Sequence, residues 1–211
     1  MTVDDAGADR PAFTGAVLTG GASRRFGSDK ALFRVDGVAL AEHVCRMVRA
    51  AGAGEVMAVG GDGPALSGLG CFDRHLQDHW PGQGPLGGII TALEAANSEV
   101  AVILACDTPA MSASAPRRLI DALGEADVVV GVVDGRDQPL TAAWRGDVVG
   151  RLRLAFEAGE RAPRRVIESL TVARVELADT DVADIDRPDD LHRYSRRAAG
   201  TGGRAEPRSH E

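Results

Sequence analysis

Apolar and polar positions occur along the chain in blocks that predict strands followed by helices. Residues 100–106 are wholly apolar, which is typical of a strand buried on both faces of a parallel sheet. Residues 40–51 instead have apolar side chains three or four positions apart, a spacing that predicts a helix with one buried face. The two patterns recur along most of the chain, so strands and helices are expected to alternate.

The remaining elements are predicted from the same two patterns. Further strands are predicted at residues 13–18, 55–59, 71–78, 127–133 and 171–177, and further helices at residues 85–96, 113–123, 146–158, 164–170 and 188–197. This alternation predicts an α/β fold, a three-layer αβα sandwich with a mostly parallel, Rossmann-like sheet. A ligand is then expected beyond the carboxyl ends of the strands.

The two ends of the chain lack this periodicity. Residues 1–11 and 197–211 are polar and rich in Gly and Ala, and we expect both to be disordered tails. The 211 residues suit a single domain, which we place at residues 12–196.

Composition and charge narrow the classes of function. The 31 acidic and 24 basic side chains give a net charge of −7, which argues against a nucleic-acid binder. The longest apolar run is too short to cross a membrane, and the acidic first ten residues do not resemble a secretory signal. The three cysteines show no C-x-x-C spacing, so neither a disulfide framework nor a zinc site is indicated. We expect a cytoplasmic protein that contacts neither nucleic acid nor membrane.

The loop after the first predicted strand, residues 18–30, has the features of a polyphosphate site. Gly20, Gly21 and Gly27 allow backbone N–H groups to turn towards an anion. Arg25 and Lys30 add positive charge, and Lys30 is the only lysine in the chain. The Walker A pattern is absent from this loop, so another kind of nucleotide site is expected.

Acidic residues follow two of the predicted strands. Asp107 comes directly after residues 100–106, where a carboxylate can bind Mg²⁺, although it could instead cap the next helix. Asp184 and Asp186 are two positions apart, so on an extended segment their side chains point the same way. One of them could complete a metal site, and it is equally open that Asp186 caps the helix predicted from Pro188.

A Gly-x-Gly-x-x-Gly pattern at Gly82, Gly84 and Gly87 supports a rival hypothesis, a dinucleotide-binding oxidoreductase. Pro85 removes a backbone donor from this loop, and the hypothesis leaves the basic first loop unexplained. The loop is better interpreted as a second wall of the site, which would accept a base or ribose. Asp78 could then bind hydroxyl or ring N–H groups.

Together these segments resemble the molybdenum cofactor guanylyltransferases, a MobA-like nucleotidyltransferase family. The family's L-A-G-G-x-S-x-R-M-G-x-D-K motif matches residues 18–30, with Thr19 and Phe26 as departures. Its G-P-L-x-G motif matches residues 84–88, and its C-D-x-P motif matches residues 106–109. Its late N-x-N-x-P-x-D-L motif is approximated by residues 184–191, with aspartates in place of the asparagines.

The resemblance implies a nucleotidyltransferase (GT-A-like) sheet and transfer of GMP from GTP to the terminal phosphate of molybdopterin, with release of pyrophosphate. It also implies Mg²⁺, or Mn²⁺, as cofactor. The implied nucleotide-binding residues are Leu18, Thr19, Gly20, Gly21, Lys30, Asp78, Gly84 and Asp107, with Arg25, Lys30 and Asp107 as catalytic residues. Gln138, Pro139 and Thr141 are implied to lie near the pterin, and Asp107, with Asp184 or Asp186, to bind the metal.

Several alternatives stay open at this point. The same fold could transfer CMP to the same cofactor, or a nucleotide to a sugar phosphate. A dinucleotide-binding oxidoreductase and a non-catalytic GTP-binding protein are the remaining candidates. One family contact is not carried over, because Gly60-Gly61-Asp62 stands where the family has an asparagine. The implied protein partners are molybdenum-insertion proteins and molybdoenzyme acceptors, with the chain itself a monomer or a weak homo-oligomer.

Overall fold

The computed structural model describes residues 12–21 and 29–183. The strands are β1 Phe13–Leu18, β2 Arg34–Val35, β3 Val38–Ala39, β4 Glu55–Val59, β5 Arg74–Leu76, β6 Val100–Ala105, β7 Val128–Val133, β8 Arg136–Arg145 and β9 Val172–Glu176. The α-helices are α1 Leu40–Ala50, α2 Gly63–Ser67, α3 Pro85–Ala95, α4 Ser114–Asp121, α5 Val149–Glu157 and α6 Pro163–Ile167.

The described residues form a central seven-stranded sheet in the order β5, β4, β1, β6, β8, β7 and β9. Strands β5, β4, β1 and β6 are parallel, and β7 pairs in parallel with β9. Strand β8 runs antiparallel between β6 and β7. The sheet is therefore mostly parallel, which confirms the predicted fold class.

The core has one apolar cluster on each face of the sheet. Successive side chains of a strand point to opposite faces, so Val17 of β1 packs with α1 and α4, whereas Ala16 and Leu18 pack with α3 and α5. All six residues of β1 are buried, as expected for a strand covered on both sides. Helices on both faces complete the predicted three layers.

The predicted elements within the described residues are confirmed. β1 and β4 have the predicted bounds, α6 begins one residue earlier than predicted, and the other elements are shorter. The predicted strand at residues 71–78 is reduced to Arg74–Leu76, and the predicted helix at residues 146–158 starts as a 3₁₀ turn, Gly146–Val148, before α5. The helix predicted at residues 188–197 and the tails predicted at residues 1–11 and 197–211 lie outside the described residues. No helix in the described part of the chain is long and apolar enough to cross a membrane.

Strand β8 is the largest element that the sequence pattern missed. It contains Pro139, which lacks the N–H that a strand needs inside a sheet. The structure tolerates this proline at a bulge: Val130 pairs with Ala142 and Gly131 pairs with Gln138, so residues 139–141 have no partner on β7. The ladder to β6 ends at Thr141, so Pro139 lies beyond it. The proline therefore breaks no ladder hydrogen bond.

Candidate active site

The predicted site loops meet at one edge of the sheet. Leu18, at the end of β1, is level with Val59 at the end of β4 and with Ala105 at the end of β6. Strand β8 begins at the same edge, because its Thr141 pairs antiparallel with Leu104. The loops after β1, β4 and β6 and the start of β8 therefore lie side by side.

The loops after β1 and β4 are joined backbone to backbone. The N–H groups of Thr19 and Gly20 both donate to the carbonyl oxygen of Val59, at 2.9 and 3.1 Å. The Thr19 hydroxyl donates to the Gly60 carbonyl at 2.7 Å. A Cβ atom at Gly60, where φ is +79°, would lie 2.9 Å from the Cα of Gly20. The two loops form one wall. The Gly20 N–H is bonded within this wall and does not face an anion as predicted, so the backbone groups that Thr19 and Gly20 can offer a ligand are their carbonyl oxygens.

Lys30 and Asp107 lie together at this edge, although 77 positions separate them in the chain. The Lys30 Nζ atom is 2.9 Å from Oδ2 of Asp107, and the two side chains are 14% and 24% exposed. Lys30 begins a 3₁₀ turn that ends at Leu32, and Asp107 follows β6. The sequence predicted a polyphosphate-binding cation and a metal-binding carboxylate here, and the structure brings the two residues into contact.

Asp78 lies between the loop after β4 and α3. Its Oδ1 accepts a hydrogen bond from the Trp80 N–H at 2.9 Å. Its Cβ is 3.8 Å from the position that a Cβ at Gly60 would take, and its Oδ2 is 3.9 Å from the matching position at Gly88. Oδ2 has no hydrogen-bond partner among residues 12–21 and 29–183, so it remains an acceptor for a ligand's N–H or O–H group.

Two glycines of the Gly-x-Gly-x-x-Gly pattern, Gly84 and Gly87, are explained by packing. Gly84 precedes α3 with φ at +95°, and a Cβ there would lie 3.2 Å from the carbonyl oxygen of Arg161. A Cβ at Gly87 would lie 3.2 Å from the Cβ of Trp80. The Arg161 guanidinium donates to Gln83 of this loop at 3.2 Å. The loop is thus packed against the segment after α5, which accounts for Gly84 and Gly87 without a pyrophosphate.

The residues predicted near the pterin occupy the first half of β8. Gln138 and Pro139 are partly exposed at the edge that Asp107 shares, and the Gln138 amide donates to the Arg136 carbonyl oxygen at 3.3 Å. Thr141 is only 4% exposed, and it pairs with Leu104 of β6. A pterin that approaches β8 would therefore meet Gln138 and Pro139 first.

Cys106, next to Asp107, has the properties of a core residue. Its side chain is buried, and burial raises the pKa of its thiol to about 12, with the negative charge of Asp107 as the second cause. A thiol with this pKa is protonated at neutral pH and is a poor nucleophile. Cys106 therefore belongs to the core and is not a candidate nucleophile.

Three of the predicted residues, Arg25, Asp184 and Asp186, lie outside the described residues, so their roles stay predictions. Within residues 12–21 and 29–183, no group of three or more His, Cys, Asp or Glu side chains could hold a metal ion. Asp107 is therefore the carboxylate of the described site on which a metal proposal rests.

Two acidic residues that sequence reasoning did not select hold the site loops in place. Asp29 accepts backbone hydrogen bonds from both of the joined loops. Asp181, which is 4% exposed, accepts from the N–H and the hydroxyl of Ser112 at 2.9 and 2.8 Å, and so ties the loop after β6 to the end of β9. The position of Asp29 beside the lone lysine was an available signal, whereas the sequence around Asp181 contains none.

The comparison with known families identifies this arrangement. Residues 15–175 match the model of the MobA-like NTP transferase domain. The chain belongs to the MobA-like NTP transferase family. This membership makes it a nucleotidyltransferase and confirms the resemblance seen in the motifs.

Among MobA-like relatives, the probable molybdenum cofactor guanylyltransferase of Opitutus terrae is 34% identical over 203 residues, which cover 91% of this chain and 99% of that protein. The molybdenum cofactor guanylyltransferase of Rhodobacter capsulatus is 31% identical over 85% of this chain and 93% of that protein. The crystal structure of molybdopterin-guanine dinucleotide biosynthesis protein A from Archaeoglobus fulgidus superposes with a TM-score of 0.70 at 23% identity, over 89% of this chain and 99% of that one. This superposition shows that the fold is shared.

Proposed function

We propose that this MobA-like protein transfers GMP from GTP to the terminal phosphate of molybdopterin and releases pyrophosphate. The product is the guanine dinucleotide form of the molybdenum cofactor. The observation that supports this most strongly is the contact of Lys30 with Asp107 at the carboxyl edge of the sheet, in a family whose relatives are named molybdenum cofactor guanylyltransferases.

The reaction needs charge stabilisation more than proton transfer. An oxygen of the acceptor phosphate attacks the α-phosphorus of GTP, a new P–O bond forms, and the bond to the β-phosphate oxygen breaks. A phosphate monoester has a second pKa of about 6 and is mostly dianionic at neutral pH, so the acceptor needs no general base. Negative charge builds up on the departing pyrophosphate, and the site must stabilise that charge.

Lys30 is suited to this task. Its ammonium group pairs with Asp107 at 2.9 Å, in a half-buried environment. A compact ammonium on a flexible stem can exchange a carboxylate partner for phosphate oxygens that enter next to it. Lys30 then binds the triphosphate and stabilises the leaving pyrophosphate. Arg25, in the same loop, is proposed to assist it.

The residues present fit a bound Mg²⁺ or Mn²⁺. Mg²⁺ is usually held by one or two carboxylates, with substrate phosphates and waters completing its shell, and Asp107 supplies such a carboxylate at the place where the triphosphate would lie. Asp184 or Asp186 is proposed as a second ligand. The metal, when bound, neutralises charge on the phosphate oxygens.

Two sides of the site are proposed to bind the two organic groups, the guanine and the pterin. Guanine presents adjacent N–H donors, for which the carbonyl oxygens of the loop after β1 and the open Oδ2 of Asp78 are suitable acceptors. Leu18, Gly21 and Gly84 are proposed to line this nucleotide side. Gln138 and Pro139, at the start of β8, are proposed to face the pterin, with Thr141 behind them. Molybdenum-insertion proteins and molybdoenzymes that accept the product are proposed as its protein partners.

The test is pyrophosphate release from GTP or CTP with molybdopterin and Mg²⁺. We expect release with GTP that requires molybdopterin, and a loss of about a hundredfold in Lys30→Ala and in Asp107→Asn, because each variant removes one charged contact to the reacting phosphates. Asp36→Asn is the matched control, since Asp36 lies in the exposed turn between β2 and β3 with a positive φ that asparagine also adopts.

The other outcomes identify the alternatives. Release with CTP in place of GTP would assign cytidylyl transfer to the same machinery. GTP binding without pyrophosphate release would indicate a non-catalytic nucleotide-binding protein. Full activity in Lys30→Ala would remove the proposed role of that residue.

A further inference from the structure

Asp29 lies directly before the proposed catalytic lysine, and both of its carboxylate oxygens accept backbone hydrogen bonds. Oδ1 accepts from the N–H of Ala31 at 3.0 Å. Oδ2 accepts from the N–H of Asp62 at 3.1 Å. Hydrogen bonds to an ionised acceptor are about twice as strong as neutral ones, so both contacts are expected to be firm.

The first hydrogen bond fixes the backbone of Lys30. Asp29 is the N-cap of the 3₁₀ turn Lys30–Leu32, and the Phe33 N–H closes the turn on the Lys30 carbonyl oxygen at 3.1 Å. Ala31, in the middle of the turn, is fully buried. The backbone of Lys30 is therefore held from both sides.

The second hydrogen bond ties this turn to the loop after β4. Asp62 follows Gly60 and Gly61, the segment packed against Gly20, and its own carboxylate caps α2 by accepting from Ala65 at 3.1 Å. A capping role in the 3₁₀ turn would need only Oδ1 of Asp29. The bond from Oδ2 spans 33 positions of the chain and is not needed for the turn.

The negative charge of Asp29 would weaken triphosphate binding if it were not compensated by neighbouring donors. A carboxylate beside a phosphate-binding lysine repels the phosphates and competes for the ammonium. Here Lys30 pairs with Asp107, while both oxygens of Asp29 accept from backbone donors. The charge of Asp29 is compensated by the N–H groups that it joins.

We propose that Asp29 is a positioning residue: it bridges the loops after β1 and β4 and so holds the Lys30 ammonium at Asp107, where the triphosphate binds. Only the statement that the triphosphate binds at Lys30 rests on the proposed function. The placement of Lys30 by Asp29 does not, because the position of Lys30 can be measured without any nucleotide.

The first experiment observes Lys30 directly. The chain contains one lysine, so protein labelled with ¹⁵Nζ-lysine gives a single ammonium signal. Asp107→Asn supplies the reference signal for an ammonium that has lost the charged Asp107 carboxylate. In Asp29→Asn, where the amide side chain can accept at one oxygen only, we expect the signal to move towards that reference and its order parameter to fall. Asp29→Ala, which removes both bonds, should move it further.

Asp62→Ala is the matched control. It removes the side-chain cap of α2 but keeps the backbone N–H that Asp29 accepts. We expect it to lower the melting temperature and to leave the Lys30 signal in place. A wild-type Lys30 signal in both Asp29 variants, or an equal change in Asp62→Ala, would overturn the proposal.

The second experiment is a double-mutant cycle on GTP affinity, measured by calorimetry. If Asp29 acts through Lys30, Asp29→Asn should raise the Kd for GTP about tenfold in the wild-type background and less than about twofold in the Lys30→Ala background. Equal losses in both backgrounds would show a general structural effect and contradict the proposal. If the wild type does not bind GTP, the proposed function fails, and the lysine signal alone decides the role of Asp29.

Discussion

At the scale of single residues, neighbouring positions of the site differ in character because the chain leaves the sheet between them. Cys106 is still enclosed by the core on one face of the sheet, whereas Asp107 reaches the edge and contacts Lys30. Burial and the adjacent carboxylate raise the pKa of the Cys106 thiol, whereas the Asp107 carboxylate lies 2.9 Å from the Lys30 ammonium. Whether each of these two side chains can reach a substrate therefore depends on its position relative to the end of β6.

This difference predicts that Cys106 is chemically silent. Because its pKa is raised to about 12, the thiol stays protonated at pH 8 and should not react with iodoacetamide in the folded protein. Cys71 is an internal control: it is partly exposed, and the hydrogen bond from Cys45 lowers the pKa of its thiol. Peptide mapping should show Cys71 alkylated first.

Cys106→Ala should also retain pyrophosphate release within about twofold, because the thiol is not proposed to touch the substrate. A loss of activity with an unchanged melting temperature would mean that the thiol takes part in the reaction.

At the scale of elements, the close approach of the loops after β1 and β4 depends on Gly60. Gly60→Ala should lower the free energy of unfolding by about 3 kcal/mol, because it combines a positive φ with a Cβ 2.9 Å from the backbone of Gly20. Chemical denaturation measures this loss. Gly70→Ala is the control, since Gly70 has a similar φ of +68° and no atom within 4 Å of a Cβ there. It should cost about 1 kcal/mol. Equal costs at the two positions would show that the contact between the loops is unimportant.

Elements were predictable where side-chain periodicity decides them. The apolar run at residues 100–106 and the helical spacing at residues 40–51 correspond to β6 and α1, because burial of one or two faces imposes those patterns. Strand β8 was missed because its first half follows no period and contains Pro139. That half is accommodated by the bulge opposite β7. The bulge depends on how the two strands pair, so the sequence of β8 alone does not reveal it.

The candidate site was predictable to the extent that topology determines it. Loops that follow neighbouring parallel strands must meet at one edge, so residues as distant in sequence as Lys30 and Asp107 could be expected to lie close together. The bonds that Asp29 accepts from the Asp62 N–H and that Asp181 accepts from the Ser112 N–H could not be expected, because a single side chain that accepts from a distant backbone leaves no repeated pattern.

At the scale of the whole molecule, Asp127 joins three elements. Its carboxylate accepts from both terminal nitrogens of the Arg151 guanidinium in α5, at 3.0 and 2.7 Å, and from the Thr171 N–H before β9 at 2.8 Å. Its carbonyl oxygen accepts from the Arg145 N–H of β8 at 3.0 Å. The pKa of Asp127 is lowered, mainly by the hydrogen bond from Arg151 and next by the hydrogen bond from Thr171.

A lowered pKa gives a stability that depends on pH. The folded state favours ionised Asp127, so its contribution is present above the unfolded pKa of about 3.9 and is lost as the pH falls through the lower folded pKa. Asp127→Asn should reduce the free energy of unfolding by about 1 kcal/mol at pH 7, a modest value because half of the Arg151 side chain is exposed. This difference should shrink towards pH 3.

Arg151→Gln is the matched variant for this prediction. It removes the ion pair and keeps the bond from Thr171, so its cost at pH 7 should be smaller. Denaturation at pH 7 and pH 3 measures both variants. An undiminished cost of Asp127→Asn at pH 3 would contradict the assignment.

The antiparallel strand in the middle of the sheet has a consequence for synthesis on the ribosome. β4 and β6 pair with the two sides of β1, and all three strands are complete by Ala105. The other side of β6 pairs with β8, which is complete only at Arg145. During the intervening forty or so residues the nascent chain presents an apolar strand with an unpaired edge, a template for pairing with other chains. Ribosome stalling in this interval would therefore expose the protein to aggregation more than stalling at any point after Arg145.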